Sequence, residues 1–259
     1  YPYIKKYLGG WLDQLVALAK ASAEEYVVLV SELINEQDHA VRLKLLDRHL
    51  ELAEHAATES DLKALFWEHK TLSKTPKHAN ETVLNKLAEL RAVVGLSRNG
   101  YTNIRFAEHP DLTAEKNGQA VAVDVVRASA PDGKREDVWD ELDKLDDESA
   151  VGVMFADGKW QQKLRDDIYR RMELKQKQLG KYRTGAQGMV WISMGRDYLT
   201  AGAYEVPGVG LSRLLKGASK ALSESVGDAV LESGDVLFKD VHWVVLSRGR
   251  DEPDEFLQR

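Results

Sequence analysis

The chain has no cysteine, which excludes disulfides, thiolate nucleophiles and zinc sites built on Cys, and favours a reducing compartment. No apolar run approaches the roughly 18 residues needed to cross a bilayer. No charged-then-apolar leader opens the chain; it starts on Tyr1 rather than Met, which leaves room for a preceding segment. The expectation is a cytoplasmic protein with no membrane partner. Surplus positive charge is missing too. A net charge of −6 argues against nucleic-acid binding spread over the whole surface, though a local basic groove stays open. Nothing matches a Ser-His-Asp series, a P-loop or a dinucleotide fingerprint. What remains is an ordinary globular composition, and 259 residues are enough for one large or two modest domains.

Up to about Ser73 the chain reads as helix, with almost no Pro or Gly and no period-2 segment. Ser22 and Glu25 form a capping-box pattern ahead of Tyr26, Val27, Val30 and Ile34. Asp38 precedes Val41, Leu45, Leu46 and Leu50, and Thr58, Ser60 or Asp61 starts a further helix with Leu62, Leu65 and Phe66. The polar stretch 71–80, holding Pro76, is the expected linker between a helical domain (1–75) and an α/β domain (80–259). In the second part a helix over 81–96 carries Val83, Leu87, Leu90 and Val94 on one stripe and ends where Gly100 can turn left-handed. A strand follows at 101–106, and strands at 111–115 and 119–128 join across Asn117-Gly118, a strong hairpin signal. Further along come an acidic exposed segment (132–148), a short strand (151–155), a long basic helix (159–181), strands at 189–193 and 241–246, and a helix over 211–223 between those two.

Two carboxylates stand out. Asp111 starts one arm of the hairpin, and Asp124 sits within the apolar run VAVDVVRA of the other. A charge in such a strand is costly unless it is paired or binds a metal. Alternation puts Ala122, Asp124 and Val126 on one face and Val123, Val125 and Arg127 on the other. Hairpin geometry can bring Asp111 to Asp124, giving two oxygen ligands for a hard cation such as Mg²⁺. The plainer reading places Asp124 on an edge or pairs it with Arg127, and the residues alone do not choose.

His109-Pro110-Asp111 and, thirteen positions on, Asp124 resemble the PD-(D/E)XK nuclease superfamily, the restriction-endonuclease-like fold. The order of helix, strand, acidic hairpin, helix and strand over residues 81–193 is similar to that family's. Gln178 and Tyr182, in QLGKY, match the Q-x-x-x-Y pattern of its RecB-like branch, which lies near the active site. The resemblance implies an α/β fold with a mixed central sheet flanked by helices, here preceded by an all-α segment. It implies Mg²⁺ or Mn²⁺ on Asp111 and Asp124, help from Glu89 in the first helix, and Gln178 positioning the substrate. One departure stands against the matches. The family's lysine, two residues after the second acid, falls at Val126, which cannot orient a water or stabilise an oxyanion. Three outcomes stay open: a bulge redirects Arg127, a lysine comes from the basic helix (Lys175, Lys177 or Lys181), or the core is a degenerate nuclease kept for binding.

The basic helix has its own message. Residues 159–183 hold nine Lys or Arg against three acids, a local net of +6. Such a concentration suits phosphate contacts, through Lys175, Lys177, Lys181, Tyr182 and Arg183, although a solvated face is the commoner use. Pro207-Gly208-Val209-Gly210 before a helix, Glu51 with His55 at i,i+4, and Trp67, Trp139, Trp160 and Trp191 are better explained as a turn, a surface pair and core residues.

The sequence therefore leads to a metal-dependent phosphodiester hydrolase acting on DNA, or a degenerate relative; the alternative is a non-catalytic scaffold of the same fold binding nucleic acid or protein. The helical N-terminal part is assigned recognition or assembly, with a protein partner or a second copy. If no other cation replaces the lysine missing at Val126, little or no cleavage with Mg²⁺ or Mn²⁺ is expected.

Overall fold

The computed structural model describes residues 1–22, 27, 29–34, 36–67, 72–107, 109–127, 174–180, 185–193, 240–247 and 254–258. The segments expected at 132–148, 151–155 and 211–223, most of the basic helix, and Lys181, Tyr182 and Arg183 lie outside these residues, as does the glycine turn at 207–210.

Among the described residues four helices come first: α1 (Pro2–Ala21), α2 (Val30–Ile34), α3 (Glu36–Ala56) and α4 (Glu59–Trp67). In α1, Ile4, Tyr7, Leu8, Trp11 and Leu15 recur at helical spacing and are buried, so one stripe drives its packing. Its unpaired N-terminal amides are partly met from outside: Ile4 N–H donates to Asp47 Oδ1 of α3 at 2.8 Å, as helix ends require. Ser22 closes α1, donating its N–H to Leu18 O; the rest of its capping pattern, 23–26, lies outside the described residues. Thr58 does open α4: its Oγ1 accepts Asp61 N–H at 3.1 Å, and Asp61 Oδ2 reaches back to Thr58 N at 3.3 Å, a capping box with Asp in the acidic place.

Helix α5 (Pro76–Arg98) starts five residues before the expected point, inside the stretch read as linker. Proline at the first helical position has no amide to lose and a backbone angle already suited to the helix, so Pro76 starts the helix rather than breaking it. At the other end Gly100 has φ 78°, its N–H bonds Ser97 O, and Tyr101 N–H bonds Leu96 O, a Schellman motif. The expected stripe of Val83, Leu87, Leu90 and Val94 is buried, and so are Leu84, Ala88, Ala92 and Val93. The helix is covered nearly all round, since it lies between α3 on one side and the sheet on the other.

Among the described residues the sheet has six strands in sequential order: β1 (Thr102–Phe106), β2 (Leu112–Lys116), β3 (Gln119–Arg127), β4 (Gln187–Ser193), β5 (Trp243–Ser247) and β6 (Glu255–Gln258). β1, β2 and β3 form an antiparallel meander, β3, β4 and β5 run parallel, and β6 returns antiparallel. The architecture is mixed α/β with a mixed sheet. Val121, Val123, Met189, Trp191 and Val245 share one apolar cluster with α5 and with α1, α3 and α4, so the described N-terminal helices and the sheet are built on a common core. Among the described residues no helix is long and apolar enough to cross a membrane.

Candidate active site

The hairpin turn at Asn117-Gly118 has positive φ at both residues, 53° and 77°, the twist that lets two strands pair closely. Pairing then runs from Lys116↔Gln119 to Leu112↔Val123. β3 continues past the start of β2 as far as Arg127, alongside β4. Asp111, one residue before β2, therefore stands opposite Asp124, where β3 runs on beyond its pairing with β2. Its Oδ2 accepts Val125 N–H at 2.7 Å, a side chain doing what a ladder carbonyl would do.

Asp124 is fully buried, and it lies on an inner strand, not on an edge. Its partner is Lys175, from the helical stretch 174–180. The Lys175 Nζ donates to Asp124 Oδ1 at 3.3 Å and to Asp111 Oδ2 at 3.2 Å. One ammonium thus joins the two carboxylates that the sequence singled out. Asp124 Oδ2 is buried and has no partner among the described residues. Burial pushes the Asp124 carboxyl up to about 6, against the pull of Lys175. Burial alone would lower Lys175, but Asp111 and Asp124 outweigh it and hold its ammonium above the usual range.

Arg127 does not pair with Asp124, and no bulge turns it. β3 keeps continuous register with β4 through Arg127↔Ser193, so the side chain stays on the α5 face and its Nε donates to Asn85 Oδ1 at 3.1 Å. The bulge expected to bring Arg127 to the carboxylate face does not form: regular pairing on the β4 side leaves no extra residue to redirect it.

Between α5 and the end of β3 opens a pocket of about 250 Å³. α5 contributes Asn85, Ala88 and Glu89, the sheet contributes Asp111, Val125, Val126 and Arg127, and Lys175 completes the wall. Glu89 is buried and pairs with Lys86 at 3.0 Å through both oxygens. Burial nevertheless raises its carboxyl to about 7, with Lys86 opposing and Asp111 adding to the rise. Such displaced carboxyls cluster at catalytic sites and also in structural ion pairs. Asn85 and Lys86 escaped the sequence reading. The signal was two polar side chains, Asn85 and Glu89, on one face at i,i+4 of a helix rich in apolar residues.

Five sequence candidates therefore meet or adjoin one another: Glu89, Asp111, Asp124, Arg127 and Lys175. Lys177 is exposed, and Gln178 is half-buried and outside the pocket wall, with its Oε1 buried and unpartnered among the described residues. No group of three or more His, Cys, Asp or Glu suited to a metal occurs among the described residues. Two carboxylates with one unpartnered buried oxygen nevertheless fit a hard divalent ion such as Mg²⁺, which typically takes one or two protein carboxylates and keeps several waters.

Neither protein-family models, curated proteins nor solved structures give a match to this chain.

Proposed function

We propose that the chain is a Mg²⁺- or Mn²⁺-dependent phosphodiester hydrolase of the PD-(D/E)XK type, working in the cytoplasm on DNA, with RNA the second substrate class. The observation that carries this reading is Lys175 bridging Asp111 and Asp124 at the wall of a pocket, where Val126 gives the Asp124 face of the strand no cation of its own. The order of α5, β1, the acidic hairpin, the helical stretch 174–180 and β4 supports the restriction-endonuclease-like fold.

In this reading Asp111 and Asp124 hold the divalent ion. When bound, that ion polarises a phosphoryl oxygen and makes a water more acidic. Lys175 supplies the positive charge that offsets the charge building on phosphate during attack. Glu89, with a carboxyl near neutrality, can take or return a proton at its Oε atoms. Arg127, held at Nε by Asn85, offers its guanidinium to a neighbouring phosphate. Lys177, exposed on the same helical stretch, extends the basic approach to the backbone. The helices α1 to α4 serve recognition or assembly.

Purified protein incubated with linear and circular DNA, and separately with RNA, in Mg²⁺ or Mn²⁺ tests the reading. Cleavage abolished by Asp124→Ala and by EDTA is expected. No cleavage of any substrate, with salt-sensitive binding retained, would leave the non-catalytic scaffold instead.

A further inference from the structure

We propose that Lys175 is a built-in occupant of the divalent-ion position, displaced when the ion binds. The inference rests on the reading that Asp111 and Asp124 hold that ion. Asp111 Oδ2 already accepts Val125 N–H and then Lys175 Nζ, so both of its lone-pair directions are in use. Lys175 also takes Asp124 Oδ1. A cation seeking both carboxylates meets an ammonium already on one oxygen of each.

The route in points the same way. The Asp124 side chain is 1% exposed, while those of Asp111 and Lys175 are 20% and 23% exposed. An ion reaching Asp124 must pass the two outer groups, and one of them repels it. Two carboxylates with one ammonium leave a single negative charge; adding a divalent ion without moving Lys175 crowds three positive charges onto two negative ones, at close range and mostly out of water. The lysine stem is long and flexible, and it already lines the 250 Å³ pocket. Released from the carboxylates, its ammonium has that pocket to enter. Among the described residues, Glu89, paired with Lys86, and Arg127, held by Asn85, are the other charged groups there besides Asp111. The same lysine thus closes the site without the ion and faces the pocket once the ion is in.

The test needs Mg²⁺ alone and no nucleic acid. Lysines are reductively methylated with ¹³C, which keeps their charge, and the Lys175 resonance is assigned by its loss in Lys175→Arg. The expected result is a saturable shift of that resonance on adding Mg²⁺, absent in Asp124→Asn. Lys175→Met should bind Mg²⁺ at least about tenfold more tightly by calorimetry, because the binding-competent state is no longer reduced by the occupant. Binding by Lys175→Met with none detectable in the wild type also supports the proposal. Mg²⁺ binding to wild type with the Lys175 resonance unmoved and no gain in Lys175→Met overturns it while leaving the metal site standing. No Mg²⁺ binding by either protein overturns both.

Discussion

Lys175 sets its ammonium 3.3 Å from Oδ1 of Asp124, across 51 positions of sequence. A carboxylate fully enclosed in a sheet needs a compensating charge, and removing one member of such a pair leaves the other buried and unpaired. Val126, on the same strand face and equally enclosed, cannot provide it. The pairing accounts for how Asp124 is tolerated, and it puts a cation where phosphate chemistry would use one.

Lys175→Ala should lower the single-turnover rate of Mg²⁺-dependent cleavage by about 10²-fold or more, the usual loss for a transition-state donor. Adding Val126→Lys in that background should restore part of the rate, since it returns an ammonium to the face of Asp124. A Lys175→Ala protein cutting at the wild-type rate would remove lysine from the mechanism.

Stability should carry a pH signature from Glu89. Its folded carboxyl sits at about 7 against an ordinary 4.5, so between those values the folded protein keeps a proton that the unfolded chain has lost. The Glu89 contribution to stability is therefore greatest below about pH 4.5 and falls as pH rises through 7. Asp124, raised from 3.8 to about 6, acts in the same direction over a lower window. Glu89→Gln should gain on the wild type by up to about 3 kcal/mol between about pH 5 and pH 8 in urea titrations. An equal gap at both pH values would mean that Glu89 does not titrate in this window.

Arg127→Ala should raise KM for nucleic acid more than it lowers kcat, as expected for a group that binds a phosphate without touching the bond that breaks. Asn85→Ala should move KM the same way by less, since it frees the guanidinium from the 3.1 Å contact at Nε. Steady-state kinetics on a short duplex decide it: a pure kcat effect for both would move Arg127 into the chemistry itself.

Lys177 is exposed, whereas Lys175 is committed to two carboxylates. Duplex binding without divalent ion should weaken steeply with salt, and Lys177→Ala should lower the slope by about one unit. Lys175→Ala should leave that slope nearly unchanged. Slopes insensitive to Lys177 would make this part of the helix a solvated face.

Gly95 brings α5 close to the sheet. A β-carbon there would collide with the Trp191 indole and stand 2.5 Å from Asp254 Oδ2. Gly95→Ala should cost about 1–3 kcal/mol of stability, as overpacked cores do. Gly9→Ala, in α1 with nothing within 4 Å, should instead be neutral or gain up to about 1 kcal/mol from helix propensity. Similar denaturation midpoints for the two variants would contradict this close packing.

What the sequence determined by itself was local. Asn117-Gly118 specified the hairpin and its register because few residues adopt two successive positive φ values. Gly100 specified the end of α5 for the same backbone reason, and period-2 alternation set Asp124 and Val126 on one face of β3. Pro76 misled, since its meaning depends on whether a helix begins or continues there. β6, four residues at the chain's end, was too short to show alternation and exists through its pairing with β5. The tertiary structure alone decided which side chains answer the buried charges. Lys175 on Asp111 and Asp124 and Asn85 on Arg127 join residues 64, 51 and 42 positions apart. No periodicity encodes such a partner; it follows from where packed elements set one side chain against another, and from the cost of leaving a buried carboxylate without a counter-charge.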